Sequence, residues 1–344
     1  MQKKGNGIVE NWRDGGMDKK AQGQRPSATR TAGKPLGAEA GFTIIELLIA
    51  IALGLVILAG LFRTFKVQHD SYVIQDQVSA MQQNLRAAMY LITRDLQMAG
   101  YYTTFDRNNR QLNWDDLDGD NENGRPLVFA VNDASGAAGI RTGTDVITIV
   151  KADNDPTASR PVSGTASGAE FSVGWDLDGS NFGLLVKEDL SFADLIVKDG
   201  ASWKPAGSSS LMENYASGDT VFRTDIIVYR INADAAHPCL ERKNLGRGET
   251  GYQTIAENIE NLQLRYQLND GTWTTDPGAN QSRVRAVEIL LVGRTAYPQR
   301  GYIDSSTYSF GEGATAYSYT PPGDDKRYRR KVLTSFVKTR NIGL

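Results

Sequence analysis

Between Phe42 and Phe62 the chain is apolar at every position except Thr43 and Glu46. A helix rising about 1.5 Å per residue needs about 20 residues to cross the roughly 30 Å hydrocarbon core of a bilayer. This run is therefore long enough to span a membrane, and a chain that carries it must either insert it or cover it. Glu46 constrains it further. An ionised carboxylate within so apolar a segment is costly, so it must find a partner, take up a proton or serve a purpose.

The charges on either side set the direction of insertion. Residues 1–41 hold eight basic side chains and four acidic ones, a net of +4, which leaves −6 for the remainder of a chain whose total is −2. Basic residues ahead of an apolar run stay on the cytoplasmic side, so the acidic remainder is expected to cross. The apolar segment is too long for the core of a secretory signal, and no small-x-small cleavage site follows it. The stretch before Gly41, rich in Gly, Ala, Ser, Thr and Lys, reads as a disordered and disposable leader, whose start at Met1 or Met17 stays open. The exported part has Cys239 as its one cysteine, so it must hold together by packing. An inert, half-buried thiol is the expectation there.

Beyond Phe62 the sequence turns polar but keeps a helical period. Val67, Ile74, Val78, Met81, Leu85, Met89, Ile92, Leu96 and Ala99 recur at spacings of three, four and seven. No proline interrupts them, and Gly100 is placed as a stop. One helix from Phe42 to Ala99 would be roughly 85 Å long. After a polar, acidic stretch at 106–125 the period changes to two. Strands are expected at 127–131, 145–150, 170–175, 183–187, 194–197, 220–231, 259–268, 284–292 and 329–338, with Gly/Ser/Ala/Asp-rich connectors between them. A helix first and strands afterwards, with no alternating helices, predicts an α+β chain: a long N-terminal helix packed on a largely antiparallel β-sheet domain. The predicted division is a leader at 1–41, a membrane helix at 42–62, an amphipathic half at 63–100 and an exported β-rich domain at 101–344.

Catalytic chemistry finds little to use. His69 and His237 are the two histidines, and no nucleophile elbow, phosphate-binding glycine loop or Cys/His metal spacing occurs. Asp116, Asp118, Asp120 and Glu122 alternate around Gly119, an oxygen-rich pattern that suits Ca²⁺. An EF-hand would need glycine at its sixth position and glutamate at its twelfth. Counted from Asp116 these are Asn121 and Leu127, so a solvated acidic turn is preferred and calcium is the alternative. The basic run from Lys326 to Lys331 is expected to be the solvated start of the last strand rather than a nucleic-acid site. Tyr302, Tyr308, Tyr317 and Tyr319, in an exposed loop at 301–323, are expected to pack that loop down rather than to form an adhesive surface.

Gly41-Phe42-Thr43-Ile44-Ile45-Glu46, followed by its apolar helix, resembles the prepilin cleavage and methylation motif of type IV pilin-like proteins. Gln82–Ala88 and Leu91–Tyr101 resemble the helix end of PilW-type minor pilins. Asp145–Ile149, Glu257–Tyr266 and Val284–Ile289 resemble that family's strands, and Tyr328–Leu333 with Arg340-Asn341 its ending. The resemblance implies cutting between Gly41 and Phe42 by an inner-membrane prepilin peptidase and methylation of the new amine. It implies pairing of that amine with Glu46 of a neighbour, and other minor and major pilins as partners. No catalysis, cofactor or nucleic acid is implied. The expected location is a single pass through the inner membrane with a periplasmic domain, then the pilus and twitching motility. The missing proline in the helix and the missing C-terminal cysteine pair fit a minor subunit that primes or caps assembly. A J-type minor pseudopilin of type II secretion is the alternative, and a membrane-anchored exported enzyme or calcium-dependent adhesin a third.

Overall fold

The structure is a computed structural model that describes residues 41–101, 128–131, 139–153, 159–162, 166–168, 177, 179–206, 210–211, 213–277, 283–321 and 323–342. The chain divides into two compact units between Phe62 and Arg63. Helix α1 (Ile44–Gln97) is a single element of 54 residues that begins in the first unit. With no proline to remove a donor, Gly54 and Gly60 alone do not break it. In the first unit every side chain from Gly41 to Phe62 is exposed, and the helix is long and apolar enough there to cross a membrane.

The second unit holds the rest of α1 and a set of strands whose pairings are all antiparallel. A nine-stranded sheet runs in the order β1 (Val128–Val131), β2 (Val146–Ala152), β7 (Thr220–Ile231), β4 (Phe182–Val186), β5 (Ala193–Asp199), β6 (Ser202–Pro205). Strand β7 is long enough to serve two neighbourhoods. Its first part pairs with β4 and with β3 (Ser159–Pro161), and its second with β2 and β8 (Cys239–Asn244), on which β9 (Gln253–Glu257) continues. A four-stranded sheet follows in the order β11 (Trp273–Thr274), β10 (Ile259–Leu268), β12 (Val284–Arg294), β15 (Arg330–Lys338). A hairpin of β13 (Tyr308–Phe310) and β14 (Tyr317–Tyr319) completes the described strands.

One core joins the helix to both larger sheets. Met81, Leu85, Ala88, Met89, Ile92 and Leu96 are buried on α1 at helical spacing, together with Ile147 and Ile149 of β2, Ile227 and Tyr229 of β7, Leu262 and Leu264 of β10, and Ile289 and Leu291 of β12. Gly293 marks the closest approach. A Cβ there would lie 2.9 Å from Leu85 Cγ, so only glycine lets helix and strand meet at this distance. The helix ends in a tightened turn. Gly100 adopts a left-handed φ of 74° and donates its N–H to Val150 O at 2.9 Å, which passes the chain directly to the sheet.

The α+β expectation holds, and the long alternating strands at 220–231 and 259–268 have the predicted bounds. Three expectations change. The apolar stripe of α1 joins the core only from Val78 onward, while Ile74 is half-buried and Val67 exposed, because the strands lie under the later turns. The segment 301–323 is no plain loop. It forms the β13–β14 hairpin, which buries Phe310 against Leu290 and Val292 on the outer face of the four-stranded sheet. The basic run is not wholly solvated either, since the Arg330 side chain is buried and paired with buried Glu260. The strand expected at 170–175 lies outside the described residues.

Asp95 sits on the buried stripe of α1, with no exposed side-chain surface. Its Oδ1 pairs with Lys151 Nζ at 3.1 Å, and its Oδ2 accepts from Tyr229 Oη at 2.7 Å and lies 3.6 Å from Arg242 Nε. Burial alone would push this carboxyl up. Lys151, Tyr229 and Arg242 outweigh it and hold the group below the ordinary carboxylate range. A carboxyl whose folded pKa is lowered stabilises the fold above its unfolded pKa of about 3.9, and that contribution fades as pH falls through the lower folded value. Asp95→Ala leaves two cations facing a buried void and is expected to cost about 3–5 kcal/mol at neutral pH. Urea melts followed by near-UV circular dichroism check both points. The wild type should lose this margin over the variant on acidification below about pH 4, and equal midpoints at neutral pH would refute it.

Candidate functional site

The residues singled out by sequence sit at the head of α1. Thr43 occupies the N-cap position, and Glu46 lies three residues on, in the first turn. Glu46 N–H donates to Thr43 Oγ1 at 3.2 Å, and Glu46 Oε2 accepts from Thr43 N–H at 3.3 Å and from Thr43 Oγ1 at 3.2 Å. This is a reciprocal capping box, in which two amides that would otherwise lack partners are satisfied by side chains. The carboxylate that looked out of place in an apolar segment thus has a local role. It also sits where the positive end of the helix dipole favours it. The Thr-x-x-Glu spacing was the signal for this, although Glu46 stood out by its cost rather than by its spacing.

Both Thr43 contacts fall on Oε2, so Oε1 keeps its acceptor capacity. Phe42 is 90 % exposed, and a Cβ at Gly41 would meet nothing within 4 Å. The peptide bond between them is therefore open on the side of Gly41, and the head of the helix presents its apolar side chains outward.

The remaining candidates fall elsewhere or fall away. Asp116, Asp118, Asp120 and Glu122 lie outside the described residues, and among those described no group of His, Cys, Asp or Glu is arranged to hold a metal ion. His69 is exposed on α1. His237 stands on a turn, with Nδ1 3.2 Å from Asp234 Oδ2. Cys239 is buried, and burial pushes its thiol up, which fits an inert group. The tyrosines at 302–319 pack their segment down. Tyr308 Oη donates to Asp304 Oδ2 at 2.9 Å, Tyr317 Oη accepts from Asn261 Nδ2 at 2.8 Å, and the Tyr302 ring lies under the Arg329 guanidinium at 4.4 Å.

Sequence reasoning gave no place to the ionic interior of the second unit. Arg330 pairs with Glu260 and reaches Asp304 Oδ2 at 3.4 Å, with all three side chains buried. These contacts tie the last strand and the 301–323 segment to β10. Their members lie far apart in the chain, so spacing alone could not reveal them.

Two segments of the chain match known families. Residues 37–62 match the family model described as the prokaryotic N-terminal methylation motif, and residues 228–341 match that described as type IV pilus-assembly protein W. Neither is a catalytic family. No curated protein matches. Among solved structures, a type IV-like pilin from Thermus thermophilus is similar at 12 % identity over 79 % of this chain and 99 % of that one, with a TM-score of 0.32. The long helix packed on antiparallel sheets and the methylation motif together make the chain pilin-like.

The capping box gives a direct expectation. Thr43→Val removes the hydroxyl that serves both partners and should weaken the first turn by about 1 kcal/mol. Hydrogen exchange of the full chain in lipid nanodiscs should show faster exchange at the amides of Ile44 to Leu47, with α1 beyond Val78 unchanged.

Proposed function

We propose that this chain is a minor pilin of the type IV pilus, of W type, which primes or caps filament assembly and has no chemistry of its own. The observation that carries this reading is the head of α1. An open Gly41–Phe42 bond, an exposed apolar helix and a self-capped Glu46 occur together in a segment that matches the methylation motif. In this reading the basic leader stays in the cytoplasm, residues 42–62 span the inner membrane, and the domain after residue 100 is exported. Prepilin peptidase cuts after Gly41 and methylates the amine of Phe42. Subunits then leave the bilayer to join other minor and major pilins.

The capping box refines how Glu46 would serve assembly. Oε2 is engaged by Thr43 of its own helix, whereas Oε1 remains an acceptor to which the amine of a neighbour's Phe42 can donate. In an apolar filament core an unpaired ammonium is expensive, so this pairing would fix the axial register of the helices.

The decisive measurement is the N-terminal mass of the mature protein from the cell envelope. N-methylated Phe42 is expected, and an intact leader would overturn the reading. Gly41→Leu should leave the chain unprocessed. Glu46→Gln and Glu46→Ala separate the two roles of the carboxylate. The amide of Gln keeps the cap but lacks the charge, so both variants should drop out of sheared filaments while only Ala loosens the first turn. Deletion should abolish surface pili and twitching. Loss of protein secretion with pili intact would instead favour a J-type pseudopilin of a type II system.

A further inference from the structure

The four-stranded sheet ends on β15, which spans nine residues and, among the described residues, pairs only with β12. The opposite side of this sheet is closed. Asp145 N–H donates to Leu262 O at 2.9 Å, Asp145 Oδ2 accepts from Leu264 N–H at 2.6 Å, and Gly143 O accepts from Gln263 Nε2 at 2.9 Å, so residues 143–145 cap the edge of β10. Among the described residues no strand or loop does this for β15. Lys331, Thr334, Phe336 and Lys338 are exposed along it.

An open edge of this length is a template for another strand, and proteins ordinarily blunt such edges with bulges, proline, shortness or lysine. The β12–β15 ladder runs without a register shift, and β15 contains no proline. Among the described residues its protection is positive charge. From Lys326 to Leu344 the chain has seven basic residues and no acidic one. The carboxylates nearest in the sheet are already taken, Glu260 by Arg330 and Glu288 by Arg265. A second copy pairing on this edge would bring the same cations against these, which disfavours self-association. An acidic strand would meet no such barrier. Beside the edge lies a hollow of ≈ 500 Å³ lined by Gln267, Leu268, Arg285, Ala286, Phe336 and Lys338. The Phe336 ring there is 47 % exposed and 6.1 Å from that of Trp273.

We propose that β15 is a docking edge for an extended, acidic segment of a different protein chain, which adds a strand to the four-stranded sheet. Main-chain hydrogen bonds along β15 supply the pairing, an apolar side chain of the partner enters the hollow against Phe336, and its carboxylates meet Lys331 and Lys338. The edge excludes its own kind by charge and selects its partner by the same charge. This inference stands apart from the pilin reading, since it rests on none of the residues at the head of α1.

The test uses the full chain in neutral-lipid nanodiscs and a fluorescein-labelled, end-blocked peptide, Glu-Thr-Val-Thr-Val-Thr-Val-Glu, read by anisotropy. Saturable binding is expected. It should weaken by about tenfold or more when alternate peptide amides are N-methylated on the pairing side, and likewise when both Glu are replaced by Lys. The variant Lys331→Glu/Lys338→Glu, at two exposed positions, should keep its near-UV spectrum and reverse the preference towards the Lys-ended peptide. Absence of saturable binding would overturn the proposal. So would equal binding of the N-methylated peptides, because attraction would then need no strand pairing. A wild-type chain that sediments as a dimer through this edge would overturn it in favour of a second copy.

Discussion

The second unit depends on how one face of α1 meets two sheets at once. A stripe of apolar side chains would hold a helix on a sheet in several positions, since burial is proportional to area and indifferent to direction. Asp95 removes that freedom. A carboxylate with no exposed surface is tolerable only where Lys151, Tyr229 and Arg242 converge. The helix can therefore settle in one rotation and one axial position. A well-packed apolar residue at this site could be as stable, so what the buried charge contributes is register. Gly293 enforces the same placement from the other side, because Leu85 fits against the strand only where no Cβ intervenes.

The same logic recurs at the far end of the chain. Arg330 is buried with Glu260 and Asp304, which fixes the start of β15 against β10 and draws the 301–323 segment over the outer face of the sheet. That face would otherwise expose Leu290 and Val292, which the hairpin covers with Phe310. The 301–323 segment is thus part of the fold of this sheet rather than an appendage to it. Having committed Arg330 to the interior, the strand runs outward along β12 with its remaining cations in solvent.

What was legible in the sequence follows the range of each interaction. Thr220–Ile231 is dense in β-branched and aromatic residues, and Ile259–Leu268 alternates Leu and Tyr with polar residues from Leu262 on, so local pattern gives their bounds. Cys239–Asn244 is a strand although four of its six residues are polar or charged, because β7 and β9 supply its ladder from both sides. That pairing is nonlocal and leaves no mark on the segment itself. Asp95 was half legible. It interrupts an apolar stripe at the helical spacing from Ile92, which marks a buried acid, but apart from its neighbour Arg94 its partners come from β2, β7 and β8. The Arg330–Glu260 pair joins residues 70 apart and was not legible at all.

Under the proposed pairing with a neighbour's Phe42, Glu46 meets two competing demands with one side chain. A carboxylate kept only for a neighbouring subunit would sit uncompensated in every chain not yet assembled, at a cost no membrane helix tolerates easily. Capping its own helix through Thr43 offsets part of that cost before any partner arrives. Both contacts use one oxygen, so the cap survives when a second donor comes to the other. A glutamate suits this arrangement because its side chain is long enough to fold back on the N-cap. It still carries two acceptors and a full charge. Aspartate is too short to close the box, and glutamine would close it without the charge. On the proposed reading, the residue at this position answers to the isolated helix and to the assembled one together.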